Sequence, residues 1–148
     1  MKKFLSVLIC LTIVLALSFA FVGCTPETDD AEGTMLLVVG GDNPVEYQVD
    51  LSKVELTQGL LSVLEYLKET EGLEFAHQDG FLTSVGALSQ GGGHYIYVYT
   101  TVEKDFDVSQ YAETIQYKDT TLTNAGVGAK EMTIEKDCTV YIGTIYWG

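Results

Sequence analysis

The period of the hydrophobic pattern changes several times along the chain, and each change predicts an element. Phe4 to Phe21 is an almost unbroken apolar run behind the cationic start Met1-Lys2-Lys3, the layout of a secretory leader. Thr25 to Thr34 is polar and acidic with no apolar periodicity, so it reads as a flexible spacer. Met35 to Val39 is an aliphatic run closed by the turn residues Gly40-Gly41-Asp42-Asn43-Pro44; Val45, Tyr47, Val49 and Leu51 then alternate with Glu46, Gln48 and Asp50, which predicts a hairpin. From Thr57 to Gly72 the period lengthens: Leu60, Leu61, Val63, Leu64 and Leu67 predict an amphipathic helix, capped by Thr57 and ended by Gly72 in a left-handed conformation. Phe75 to Val85 is extended again and broken by the turn pair Asp79-Gly80. Gly80 to Thr101 joins two β-type runs through Gly91-Gly92-Gly93 and predicts a central hairpin around which the rest is organised. Tyr111, Ile115 and Tyr117 lie near a Lys118-Asp119 turn, Asn124 to Gly128 reads as a flexible connection, and Met132, Ile134 and the terminal run Val140 to Trp147 complete the strands. The fold class is therefore α+β, a small mixed sheet with one helix packed across it.

Three segments follow: a leader over 1–23, a spacer over 24–33 and one domain over 34–148. An uncleaved membrane anchor competes with a cleaved leader, because the apolar run approaches the ~20 residues a bilayer span needs. Small residues before Cys24 and polar residues directly after it favour processing. Phe21-Val22-Gly23-Cys24 resembles the bacterial lipobox, with Phe21 where a leucine is usual. That resemblance implies an acylated Cys24 tethering the domain to the outer face of the cell membrane. Two acyl chains at about 0.8 kcal/mol per buried methylene hold such a tether stably. With Cys10 in the leader and Cys24 acylated, Cys138 stands alone, and it reads as a small core residue. Loss of Lys2 and Lys3 with the leader moves the formal charge from −13 to −15, and the chain has no arginine. So acidic a surface repels phosphate backbones, which excludes nucleic acid as a partner.

Catalytic chemistry is hard to assemble from these residues. His77 and His94 are the only histidines, and neither has metal-ligand spacing. Ser62, Ser84, Ser89 and Ser109 lack the context of a nucleophile elbow, and Gly91-Gly92-Gly93 is not followed by the Lys-Ser/Thr of a phosphate loop. Asp42, Asp50, Asp105 and Asp107 form no calcium-loop motif. The expectation is no enzyme and no metal. Aromatic residues are abundant instead, with nine tyrosines and one tryptophan. Strand alternation from His94 to Tyr99 sets Tyr95, Tyr97 and Tyr99 on one face, with His94, Ile96 and Val98 on the other. Ile96 and Val98 are expected to face the helix, leaving the tyrosines outward as a ligand stripe. The competing reading is cross-strand pairing of those rings with Tyr141 or Tyr117.

The run Asp79 to Thr101, with Asn124 to Trp147 after an insertion, resembles the C-terminal β-domain of transcobalamin and intrinsic factor and the bacterial lipoproteins related to it. The resemblance spans about Thr34 to Gly148 and implies a β-grasp-like fold. It also implies a corrinoid-contacting segment on Tyr95, Ile96 and Tyr97, with isoleucine where that family has tryptophan. Cobalamin or another flat molecule becomes the candidate ligand, held by His94, Tyr95, Ile96, Tyr97 and Tyr99 and presented to a membrane transporter. A second binding domain is implied as well, because one face alone encloses too little of a corrinoid. The insertion Glu103 to Thr123 reads as a flap over the site. The alternative is an adhesion module that binds a surface protein or wall polymer through a sheet edge or hairpin tip.

Overall fold

A computed structural model describes residues 32–148; the expected leader, the Cys24 anchor and the spacer up to residue 31 lie outside the described residues. The first hairpin forms as expected, with β1 (Thr34–Val39) antiparallel to β2 (Val45–Asp50). Val49 is fully buried and Val45 is half exposed, because only the C-terminal end of β2 lies over the core. The last strand, β9 (Thr139–Tyr146), enters between two partners: it runs parallel to β1 and antiparallel to β6 (His94–Thr100). Another hairpin, β7 (Thr114–Tyr117) with β8 (Thr120–Asn124), completes a six-stranded mixed sheet in the order β2-β1-β9-β6-β8-β7. The C-terminal run is thus a central strand.

Helix α1 (Leu60–Glu71) buries Leu60, Leu61, Val63, Leu64 and Leu67, the apolar set its periodicity predicts. They share one core with Met35, Leu37 and Val39 of β1, Val49 of β2, and Val140 and Ile142 of β9. Each such side chain contributes roughly 1.5 to 3 kcal/mol by leaving water, so this face dominates the stability. Gly72 ends the helix in the left-handed conformation as expected, with Leu73 N–H reaching Leu67 C=O at 3.3 Å. Thr57 does not cap it. The N-cap is Gly59, and Leu60 N–H donates to the Ala129 carbonyl at 2.8 Å. A Cβ on residue 59 would sit 2.5 to 2.9 Å from the carbonyl oxygens of Met132, Ala129 and Lys130, and φ there is +52°. Glycine is what lets the 129–132 loop serve as the cap.

The predicted central hairpin does not form. Asp79 and Gly80 turn β3 (Phe75–Gln78) into β4 (Phe81–Val85) as expected, but β4 pairs next with the short β5 (Leu88–Ser89). These make a separate three-stranded sheet, and β6 belongs to the six-stranded one. Gly91, Gly92 and Gly93 all have positive φ and carry the chain from one sheet to the other. Met132 and Ile134 are buried core residues but lie in a loop, outside any strand. Nor is the Asn124 to Gly128 connection slack: Ala125 N–H bonds Val98 C=O and Gly126 N–H bonds Asp105 C=O, each at 2.8 Å.

Candidate functional site

The expected outward tyrosine stripe is the main correction. Tyr97 and Tyr99 do share the sheet face opposite α1, while Ile96 and Val98 pack against the helix-side core. The Tyr99 end of that face is covered, however, and Tyr99 is only 4% exposed, while Tyr95 stays half exposed. Its ring contacts Tyr97 at 5.9 Å and Tyr141 at 6.3 Å between centroids, and Tyr117 lies beyond, tilted against Tyr141 at 5.4 Å. Val38 and Leu122, both fully buried, fill the same layer outside the helix-side cluster. The β7–β8 hairpin, cut from the expected flap, closes this layer. At its tip Tyr117 donates to Glu46 at 2.6 Å and Lys118 pairs with the same carboxylate, joining the two edge strands of the sheet. Lys118 and Tyr117 hold Glu46 below its ordinary carboxylate value. The pair is solvent-exposed and therefore weak, so burial of the rings, Val38 and Leu122 decides the closure.

Ligand-accessible space lies elsewhere, along the free edge of β6. Strand β8 joins β6 only at Tyr99 and Thr100, so the first half of β6 is unpaired on that side. There a groove of about 800 Å³ opens between β6, the β4–β5 region and the 124–129 loop. Tyr95, Ile96, Tyr97 and Val98 form its β6 wall, Phe81, Leu82 and Gln90 the opposite one, and Trp147 stands at one end. Phe81, Tyr95 and Trp147 are 67%, 51% and 61% exposed, a concentration of aromatic surface that the fold leaves uncovered.

Of the expected site residues, the groove therefore gathers Tyr95, Ile96 and Tyr97. Tyr99 is sealed in the second core. His94 is exposed beside the groove, its ring tilted against Tyr146 at 5.0 Å and its backbone closed on Gly91 in both directions. Sequence reasoning missed Phe81 and Trp147, as well as the polar frame that sets the loop. Asp105 is buried and accepts from the backbone N–H and the hydroxyl of Thr133. Asn124, also buried, accepts from Glu113 N–H at 2.6 Å and donates to Asp107 at 3.2 Å. Asp107 lines the groove, and bonds from Ser109 and Asn124 hold it below the ordinary carboxylate value, hence ionised at neutral pH. Cys138 is buried in the core, where desolvation pushes its thiol up. Among the described residues no group of three or more His, Cys, Asp or Glu side chains comes together as a metal site. No helix among them is long and apolar enough to cross a membrane. No family model and no curated protein matches the chain.

Burial pushes the Tyr99 phenol up to about 12, with smaller contributions from Glu113, Tyr97 and Tyr141. The fold therefore favours the protonated ring. Its stabilisation is complete below the unfolded value near 10 and is lost as pH rises from there through about 12. Chemical denaturation across that window is expected to show a steeper alkaline loss of stability for the native chain than for Tyr99→Phe. Equal slopes would mean that Tyr99 is not buried.

Proposed function

We propose that this chain is a membrane-anchored extracytoplasmic binding module that captures a flat small molecule in the groove beside β6. The observation carrying this reading is the groove itself: its volume lies in the usual 300 to 1,000 Å³ range of small-molecule sites, and it is walled by Tyr95, Tyr97, Phe81 and Trp147. Rings on both walls supply flat faces, while Asp107 and the 126–129 backbone supply a few polar groups. Cobalamin is the first candidate, because the resemblance to the transcobalamin β-domain puts corrinoid contact on Tyr95, Ile96 and Tyr97. The strand order β2-β1-β9-β6, with β1 and β9 parallel and α1 in the connection, supports a β-grasp-like topology and so adds to that resemblance. Acylation of Cys24 would tether the module, and a membrane transporter or a second binding domain would receive or help enclose the ligand. Binding by the isolated domain would be weak, since the groove is open on one side and small-molecule sites normally enclose most of the ligand.

Trp147, the only tryptophan, lines the groove and reports on it directly. Titration of the soluble domain with cobalamin is expected to quench Trp147 emission saturably, and Tyr97→Ala to weaken the binding about three- to tenfold, the worth of one aromatic contact. No change up to millimolar cobalamin would overturn the corrinoid assignment. For the anchor, Cys24→Ala is expected to abolish acyl labelling of the chain; labelling that persists in the variant would contradict it.

A further inference from the structure

The same groove exposes a half-made hydrogen-bond ladder, and from it we infer that the first half of β6 is a docking strand for an extended, lysine-bearing segment of a partner polypeptide. This rests on the reading that the groove is the binding site, and it names the partner that site would engage. The direction of each main-chain group on β6 follows from its neighbours. Trp147 N–H bonds Gly93 C=O at 2.8 Å and Thr101 N–H bonds Thr139 C=O at 3.1 Å, so the odd-numbered residues from Gly93 to Thr101 turn their N–H and C=O toward β9. The even-numbered residues face the other way. His94 is closed there by Gly91, with bonds of 2.9 and 3.0 Å, and the Val98 carbonyl accepts from Ala125 N–H at 2.8 Å. Between these two clamps, Ile96 N–H, Ile96 C=O and Val98 N–H find no backbone partner among the described residues. Two donors and one acceptor at strand spacing are what an added strand pairs with.

The opening also sets the length and charge of the occupant. From His94 to Val98 the edge runs about 13 Å at strand rise, room for roughly four extended residues. Apolar side chains of the segment would meet Ile96, Val98, Leu82 and Phe81, and its other side chains would point toward the rim. Asp107 lines the groove, and the Glu131 carboxylate lies beside Gly128, 2.8 Å from where a Cβ there would be. Lys130 stands near Gly80 as the local counter-charge, but the chain as a whole carries 21 acidic and 8 basic residues. A basic segment is complementary to this surface, and an acidic one is repelled. A strand seated here fills the space a flat ligand would use, so docking and ligand retention exclude each other.

The test is amide hydrogen exchange by NMR on the ¹⁵N-labelled domain, with acetyl-Lys-Val-Lys-Val-Lys-amide as probe and acetyl-Glu-Val-Glu-Val-Glu-amide as control. In the free domain, Ile96 and Val98 are expected to exchange fast while Tyr95, Tyr97 and Tyr99 are protected. The lysine peptide at saturation is expected to slow Ile96 and Val98 at least about tenfold, and the glutamate peptide to leave them unchanged. Ile96→Pro removes the outward N–H along with the isoleucine side chain and should abolish peptide binding, whereas Ile96→Ala, which removes the side chain but keeps the N–H, should retain the slowed exchange at Val98. Should Ile96→Pro lose protection at Tyr97, the two peptides on the native chain still decide. Unchanged exchange with the lysine peptide, equal slowing by both peptides, or protection that grows with protein concentration alone, as a second copy would produce, overturns the inference. Cobalamin binding reads out separately through Trp147, so either result can fail without the other.

Discussion

Everything in this fold that bears on binding depends on the burial of Tyr99 between Tyr97 and Tyr141 beneath the β7–β8 hairpin. A six-stranded sheet with one helix has one face to spare, and an open apolar face is unstable in water. Here the sheet curls until its outermost strands, β2 and β7, meet at Glu46, Tyr117 and Lys118. The exposed ion pair is too weak to cause that curl. The rings, Val38 and Leu122 cause it, and the carboxylate fixes where the edges touch.

Closing one face opens an edge. For the hairpin to lie over the tyrosines, β8 joins β6 only at its last two residues, and the chain then leaves through Ala125 and Gly126. The first half of β6 stays unpaired, and the loop departing from β8 becomes the groove wall. Asp105, Asn124 and the carbonyl of Gly80 hold that loop: Thr133 and Gly126 bond Asp105, Glu113 bonds Asn124, and Ala129 N–H bonds Gly80 at 2.8 Å. The same loop caps α1 through Ala129, so the site is braced by the helix that supports the main core. A binding surface framed this way is preorganised, which lowers the ordering cost a ligand must overcome.

The local elements were legible in the sequence because each is specified by near neighbours. Leu60 to Leu67 announce their helix by period, Val45 to Asp50 their strand by alternation, with Leu51 already in a 3-10 turn, and Asp79-Gly80 and Lys118-Asp119 their turns by chemistry. What was not legible is pairing at a distance. Nothing local tells Leu88 and Ser89 to fold back on β4, so Gly91 to Gly93 reads as a hairpin tip when it is a crossing between two sheets. The stripe Tyr95, Tyr97, Tyr99 is one pattern in sequence but three environments in space, exposed, half-buried and sealed, because the hairpin covers only one end. Trp147 and Phe81 are far apart along the chain and come together only through the two sheets. Asp105 and Asn124 read as surface polar residues, since a buried, satisfied carboxylate leaves no trace in a single sequence.

The central claim is the unequal exposure of tyrosines along β6, and it is tested most directly by mapping nitration of the folded domain with tetranitromethane by peptide mass spectrometry. Tyr95 should nitrate early, together with exposed Tyr111 and Tyr146, while Tyr99 should remain unmodified until the domain unfolds. Nitration of Tyr99 in the folded domain at the rate of Tyr95 would contradict the account.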